Sequence, residues 1–424
     1  MAKKEALRRE LGLVAVTLSG VGIILGAGVY ALIGQAAGLS GNAVWLAFAL
    51  AALLAAFTGL SYAELSSMFP RSGAEYEYVS SAFGNRLAFA VSWLIILSGA
   101  LSAATVALGF AGYFSSLTGS SLLPAAAGLI LLLTAILLYG VKETAYVAIG
   151  ATLIEAFGLC IIIAIGIPRL GSVDYLEMPA GLFGLFAASA LIFFAYQGFE
   201  AMVKFSDETR NPERTVPQAL LFALAISTVL YILVALCAVS VVPWQQIAAS
   251  KAPFTEIVAV SLGGNAVIVI SLIALFATAN TALMSVYASS RILHGMGGSS
   301  YVPALFARVL RERRTPHIAI LASSLLSLIF LFSGDIAFVA NLTNFTLFVT
   351  FVIINAAVIV LRIHAPDASR PFRIPGTIGT IPIIPVAGMV FSFFLLAQLS
   401  VQVLMAGLIL AVAGIAFTIL KKKA

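Results

Sequence analysis

The 424-residue chain is 62% hydrophobic and only 9% charged, with a mean hydropathy of +1.11, whereas a soluble domain carries roughly a quarter charged residues. This composition excludes a soluble globular protein and leaves no polar stretch long enough for the nucleotide-binding domain of an ATP-driven pump. The formal net charge of +6 is explained by topology and anionic-lipid contact, and no nucleic-acid partner is expected.

At about 20 apolar residues per crossing, the pattern predicts an all-α integral membrane protein of about twelve spans. A hydrophilic segment at 1–10 precedes Leu11–Ala37, Ala43–Phe69, Leu87–Leu117, Leu122–Gly140 and Tyr146–Ile167. Five more follow at Gly181–Phe205, Val216–Val242, Ala266–Leu293, Thr315–Phe332 and Ile336–Leu361. Ile381–Leu399 and Val403–Leu420 complete the set before a basic tail at 421–424. With both termini inside, 21 of the 23 Lys and Arg residues fall in cytoplasmic segments, leaving Arg169 and Lys251 outside. The positive-inside rule demands such a bias. The expectation is a multi-pass protein of the cell membrane with cytoplasmic N- and C-termini. The basic start leads into an apolar run longer than a signal-peptide core, so no cleaved leader is expected.

Two of these spans are interrupted. Span one carries Gly20, Gly22, Gly26 and Gly28 across its middle, and span six reads Phe193-Phe194-Ala195-Tyr196-Gln197-Gly198-Phe199-Glu200. They stand five spans apart, as expected if 11–167 and 181–361 form two halves of an inverted repeat, with 381–420 added after it. Paired interrupted spans point to a transporter site at mid-membrane. Each glycine set also has a packing explanation, since Gly22 and Gly26 make a GxxxG pattern. The functional alternative is that Gly26-Ala27-Gly28 unwinds, so that a half-helix N-terminus offers amides to a carboxylate.

The intramembrane carboxylates are the chemically informative side chains. Glu200 either bonds unwound backbone or takes part in function, and an ionisable residue in a span is a functional candidate by default. Glu155 lies deep in span five with no Lys or Arg in the membrane interior. It must be protonated, hydrogen-bonded or accompanied by a mobile cation. Thr278, Ser285 and Ser289 of span eight are candidate hydroxyls for such a cation site. Cys160 and Cys237, both within apolar runs, are expected as buried small hydrophobes rather than a disulfide. His294, His317 and His364 do not have metal-ligand spacing. No catalytic triad, P-loop or HExxH pattern is present, so neither an enzyme, a cofactor nor a bound metal is expected.

Four stretches together resemble the amino acid–polyamine–organocation superfamily, over nearly the whole chain. They are Gly22 to Tyr30; Ser61-Tyr62-Ala63-Glu64-Leu65 with Phe69-Pro70-Arg71-Ser72-Gly73; Phe193 to Glu200 running into Glu208 to Arg214; and Arg370-Pro371-Phe372-Arg373-Ile374-Pro375. The closest likeness is to bacterial and archaeal permeases related to the cationic amino acid transporters.

The resemblance implies a leucine-transporter-type 5+5 inverted repeat with broken helices 1 and 6, working by alternating access. It implies that Gly26, Ala27 and Gly28 receive the substrate carboxylate. Ile23 and the Phe194, Ala195, Tyr196 and Gln197 backbone up to Gly198 would offer carbonyls to the amino group, and Phe194 would cover the substrate. Glu200 matches an acidic position linked to proton sensing in some members. Glu155 falls where proton-coupled relatives often carry a lysine, a place taken by sodium in sodium-coupled cousins. Ser98 aligns with a glutamate of the cationic members, which favours a neutral substrate. The expected function is secondary transport of an amino acid, coupled to H+. Sodium coupling, uncoupled exchange, polyamine transport and a channel are the alternatives.

Overall fold

Backbone polar groups inside a bilayer must be satisfied within the protein, so long apolar runs fold as helices. The computed structural model describes residues 9–71, 74–140, 144–297, 302–310, 313 and 315–420. Most of the expected 1–10 segment, Ser72-Gly73 of the second-span motif and the tail at 421–424 lie outside the described residues.

Span one is split into α1 (Leu13–Leu25) and α2 (Gly28–Ser40), followed by α3 (Val44–Met68), a short α4 (Ala74–Phe83), α5 (Asn85–Thr118), α6 (Leu122–Tyr139) and α7 (Thr144–Gly166). Span six begins as α8 (Gly181–Ile192), tightens to a 3-10 turn at Phe193–Tyr196, and resumes as a 3-10 helix at Phe199–Glu208. Then come α9 (Pro212–Val241), two short helices α10 (Trp244–Ala249) and α11 (Pro253–Leu262), α12 (Gly264–Met296), α13 (His317–Leu331) and α14 (Ile336–His364). A two-residue hairpin, β1 (Thr377–Ile378) with β2 (Ile381–Pro382), leads to α15 (Ile383–Leu396) and α16 (Val401–Leu420).

Each of the twelve expected spans coincides with helix. Among the described residues, eight helical stretches can cross a membrane by length and composition alone, and α15 with α16, which meet at 119°, make a ninth candidate. The shortfall has local causes. The halves of span one are 13 residues each, α13 has 15 residues, and α2 joins α3 in one 41-residue helical stretch. The α10–α11 pair was not expected; it fills the connection between α9 and α12.

Leu131, Leu153, Phe157, Val229, Leu272 and Ile409 are exposed, as lipid-facing side chains are. Cys160 is also exposed, which corrects its expected burial, while Cys237 is buried beneath Gly166. The molecular interior lies where α3 runs along α9, α12 along α5, and α1 against α7 and α9.

The face that carries the start of α1 is held by a buried ionic cluster. Glu64 of α3 accepts a two-pronged bond from Arg362 of α14 and a further one from the Ile374 amide at 2.8 Å. Arg370 reaches within 3.5 Å of the same carboxylate and donates to the Leu361 and Ala365 carbonyls that end α14. Ser67 exchanges bonds with the Phe372 backbone, each at 3.2 Å. The second-span motif and the Arg370–Pro375 motif are therefore two halves of one contact. With one partner removed, the remaining buried charge would cost about 3–5 kcal/mol.

Candidate functional site

The two breaks meet. An added Cβ on Gly28 would lie 2.6 Å from Ala195 Cα, so only glycine lets α2 begin against the span-six turn. Gly198 has φ +115, a left-handed conformation, and its Cα approaches Ile23 so closely that a Cβ would sit 3.1 Å from the Ile23 carbonyl oxygen. Gly22 and Gly26 face Thr152 of α7 and Thr281 of α12. Gly22 thus serves packing, whereas Gly26 and Gly28 stand at the break itself.

Each break releases backbone groups, and distant side chains take up several of them. In an unbroken helix the Ala27 amide would bond Ile23; here it donates to Thr281 Oγ1 at 3.0 Å, which frees the Ile23 carbonyl. The Ala27 amide is thus taken up by a distant side chain and not by its own helix. The amides of Gly28, Val29 and Tyr30 occupy the first turn of α2, where no intrahelical acceptor exists. The Tyr231 hydroxyl bridges the breaks, bonding the carbonyls of Ile24 and Ala195. Asn344 of α14 donates to the Ala190 and Leu191 carbonyls at 2.7 and 3.0 Å, where α8 gives way to the turn. The Phe194 carbonyl accepts from the Gln197 amide, and the Tyr196 hydroxyl anchors the turn to Phe48 of α3.

Ile23 is exposed within an otherwise buried run from Gly20 to Tyr30, and Gln197, Thr281 and Ser285 are half-buried. Gln197 Nε2 donates to Ser98 Oγ at 3.1 Å, and its Oε1 is buried without a partner. Phe194 is buried in the span-six turn.

Glu155 of α7 is fully buried. Its Oε1 accepts from Asn280 Nδ2 of α12 at 3.3 Å, while Oε2 has no hydrogen-bond partner. Tyr30 of α2 donates to the Glu155 backbone carbonyl at 2.6 Å, joining this carboxylate's helix to the second half of span one. None of the three candidate hydroxyls donates a hydrogen bond to it. Thr278 donates to Ala274 and Leu275 of its own helix, Ser285 to Thr281 with a contact to Ser102, and Ser289 to Ile96. They are spread over about 16 Å of α12 at 1.5 Å per residue. Asn280 faces Glu155, and Thr281 faces the Ala27 amide.

Glu200 has a concrete structural partner: its Oε2 accepts from the Gly198 amide at 2.9 Å, which satisfies a donor freed at the break. Among the described residues, no group of three or more His, Cys, Asp or Glu side chains is arranged to hold a metal.

Sequence reasoning missed Thr281, Asn280, Tyr231 and Asn344. The available signal was weak: each is a polar residue inside an apolar span, where an unpaired polar group is costly. Two clefts open at the ends of the bundle, one of about 330 Å³ beside Asn42, Glu177 and Trp244, the other of about 450 Å³ beside Phe69, Arg71 and Glu77. Neither reaches the breaks, where the freed backbone groups are.

Comparison with known proteins shows the family. The chain is 31% identical to the branched-chain amino acid permease BcaP of Bacillus subtilis, over 93% of this chain and 89% of the relative. It is also 31% identical to the methylthioribose transporter of the same organism, over 91% and 87%. The cationic amino acid transporter 4, vacuolar, of Arabidopsis thaliana is 29% identical over 85% of this chain and 64% of its own length. Residues 11–417 match the family described as amino acid permease. With its apolar helical bundle, this chain is a multi-pass membrane transporter that belongs to the amino acid permease family.

Proposed function

We propose that the protein carries a neutral amino acid across the cell membrane, with both termini cytoplasmic, by alternating access coupled to protons. The two halves, 11–167 and 181–361, act as inverted repeats whose first spans supply the substrate site. The carrying observation is the close meeting of the two breaks at Gly28 and Ala195. In this reading the first-turn amides of α2 receive the carboxylate of an amino acid, and the Ile23 carbonyl accepts from its amino group. The Thr281 hydroxyl on the Ala27 amide occupies a place that a substrate carboxylate oxygen takes when bound. Phe194 closes over the ligand from the span-six turn.

Ser98 and Gln197 supply uncharged polar atoms beside this site, which suits a neutral side chain better than a cationic one. The printed function of the Bacillus relative, a permease for branched-chain amino acids, points the same way.

Glu155 is assigned as the coupling group. It is buried with one oxygen unpartnered and lies on the helix that Tyr30 ties to span one. Protonated, it is neutral and bridges α7 to α12 through Asn280. Deprotonated, it holds an uncompensated charge, so a state that hydrates it is favoured. Coupling follows if the two conformations bind the proton with different affinity.

The test is uptake of labelled amino acid into proteoliposomes, competed by a panel of neutral, acidic and cationic amino acids and by polyamines. Competition by neutral amino acids, with choline able to replace sodium, is the expected result. Competition confined to cationic ligands would overturn the substrate assignment. Uptake that follows sodium would make Glu155 part of a cation site instead.

A further inference from the structure

The connection between α12 and α13 carries a surface that the transport site does not use. Val302 is buried and packs, with Phe306 beside it, against Phe89, Leu293 and Ala319, a small core separate from the main one. Gly297 ends α12 against the same segment, where an added Cβ would lie 2.4 Å from the Ala307 nitrogen. The Phe306 carbonyl oxygen lies 3.1 Å from His294 Nδ1. The connection is thus pinned to α12, and its remaining apolar side chains are held outward. Leu305, Val309 and Leu310 are 39–44% exposed, with the exposed Arg308 among them.

This surface continues onto the lipid-facing side of the bundle. The Leu310 amide bonds the Thr315 carbonyl at 2.9 Å, and Thr315 Oγ1 donates to the Leu138 carbonyl at 3.2 Å, so the connection ends against the end of α6. There the exposed Arg313 sets its guanidinium 3.9 Å from the centre of the Tyr139 ring. Stacked in this way, a guanidinium keeps N–H donors along its edge for an anion. Tyr139 closes the exposed stripe of Leu132, Ile136 and Tyr139 on α6, beside the exposed Leu321 and Leu325 of α13. A Thr134–Ser324 bond of 2.7 Å holds these two helices together. Segments 140–143 and 291–316 hold six Lys and Arg residues against Glu143 and Glu312, a local charge of +4. Hydrocarbon, then an aromatic ring, then cations is the order of polarity met along a phospholipid from tail to head. Three apolar side chains fixed outward suit water poorly and arginines suit hydrocarbon poorly; the headgroup boundary suits both.

We propose that this surface binds one anionic phospholipid of the cytoplasmic leaflet, with its phosphate on Arg308 and Arg313 and an acyl chain along Leu132, Ile136 and Leu325. The choice of leaflet rests on the orientation given above. Leu305, Val309 and Leu310 sit in the same headgroup boundary and keep the arginines at its depth. A lipid fits better than a soluble phosphate because the cations adjoin an apolar stripe that faces hydrocarbon. An anionic lipid fits better than a zwitterionic one because the local charge is positive, and basic residues beside transmembrane helices on the cytoplasmic side attract such headgroups.

The experiment is native mass spectrometry of the full chain in detergent, delipidated and then given equimolar phosphatidylglycerol and phosphatidylcholine. Wild type should retain one phosphatidylglycerol in preference to phosphatidylcholine. An arginine beside an anionic headgroup contributes roughly fivefold. Arg308→Gln and Arg313→Gln should therefore each lower the preference about fivefold, and the double variant about 20-fold. All these side chains are exposed, so the variants should keep the wild-type fold, which a thermal-unfolding trace checks. Arg214→Gln removes an exposed arginine at the start of α9 and should leave the preference unchanged. An equal loss in Arg214→Gln would mean diffuse attraction to charge and overturns the site, as does wild type retaining the two lipids equally. Displacement of the lipid by millimolar inorganic phosphate would also overturn it, leaving an anion site without lipid. Retention in detergent does not depend on which way the protein faces, so failure here leaves the orientation and the transport function standing.

Discussion

Replacing Tyr231 by phenylalanine removes one hydroxyl and keeps the ring, so its contacts with Phe48 at 5.5 Å and Tyr196 at 5.3 Å persist. What is lost is a polar link joining both breaks directly, between the Ile24 and Ala195 carbonyls. In continuous helices those carbonyls would accept from Gly28 and Phe199, and the breaks deny them both donors. A buried acceptor left unpaired costs about 1–3 kcal/mol, whereas hydrogen bonds between membrane helices average nearer 0.6 kcal/mol. One hydrogen serves two acceptors here, so a loss of about 1–2 kcal/mol is expected. Denaturant titration in detergent should register it as reduced stability, and equilibrium binding as roughly a 5- to 30-fold weaker affinity if the hydroxyl holds the breaks in their binding geometry. Reduced stability with unchanged affinity would confine Tyr231 to packing. No change in either would refute the claim that this hydroxyl satisfies the breaks.

Three further outcomes follow from the same structure. Glu64→Gln should destabilise the protein by about 3–5 kcal/mol, because Arg362 would remain buried without its counter-charge; denaturant titration checks this, and near-neutral stability would contradict it. Ser98→Glu should shift competition toward cationic amino acids, since the new carboxylate would stand beside Gln197; an unchanged competition series would separate Ser98 from the side-chain pocket. Cysteines placed near Lys251 and Lys422 should react with impermeant reagent from outside and inside respectively, and the reverse pattern would invert the topology.

The two breaks were legible because glycine and a carboxylate inside apolar runs are local anomalies. Gly26, Gly28 and Gly198 each stand where a side chain would meet backbone or a close neighbour. The partners of the freed groups were not legible. Thr281 reaches Ala27 across 254 positions of sequence, and Asn344 reaches Leu191 across 153. A single hydroxyl or amide on an apolar helix does not announce which distant backbone it serves. Glu64 illustrates the same limit. Its motif was recognisable, but its pairing with Arg362 depends on α3 and α14 lying together. In span eight, Thr278, Ser285 and Ser289 bond along α12 and to α5, whereas Asn280 faces Glu155, a partner that helical periodicity alone does not reveal.

The most direct measurement compares wild type and Glu155→Gln in proteoliposomes, recording neutral amino acid uptake with and without an inward proton gradient, and exchange at equal pH on both sides. For the wild type we expect uptake driven by the gradient and independent of sodium. Glu155→Gln keeps the Asn280 side facing a polar group but cannot titrate, so it should exchange substrate while ignoring the gradient. A Glu155→Gln protein that still concentrates substrate with the gradient would contradict the assignment of Glu155 as the coupling group.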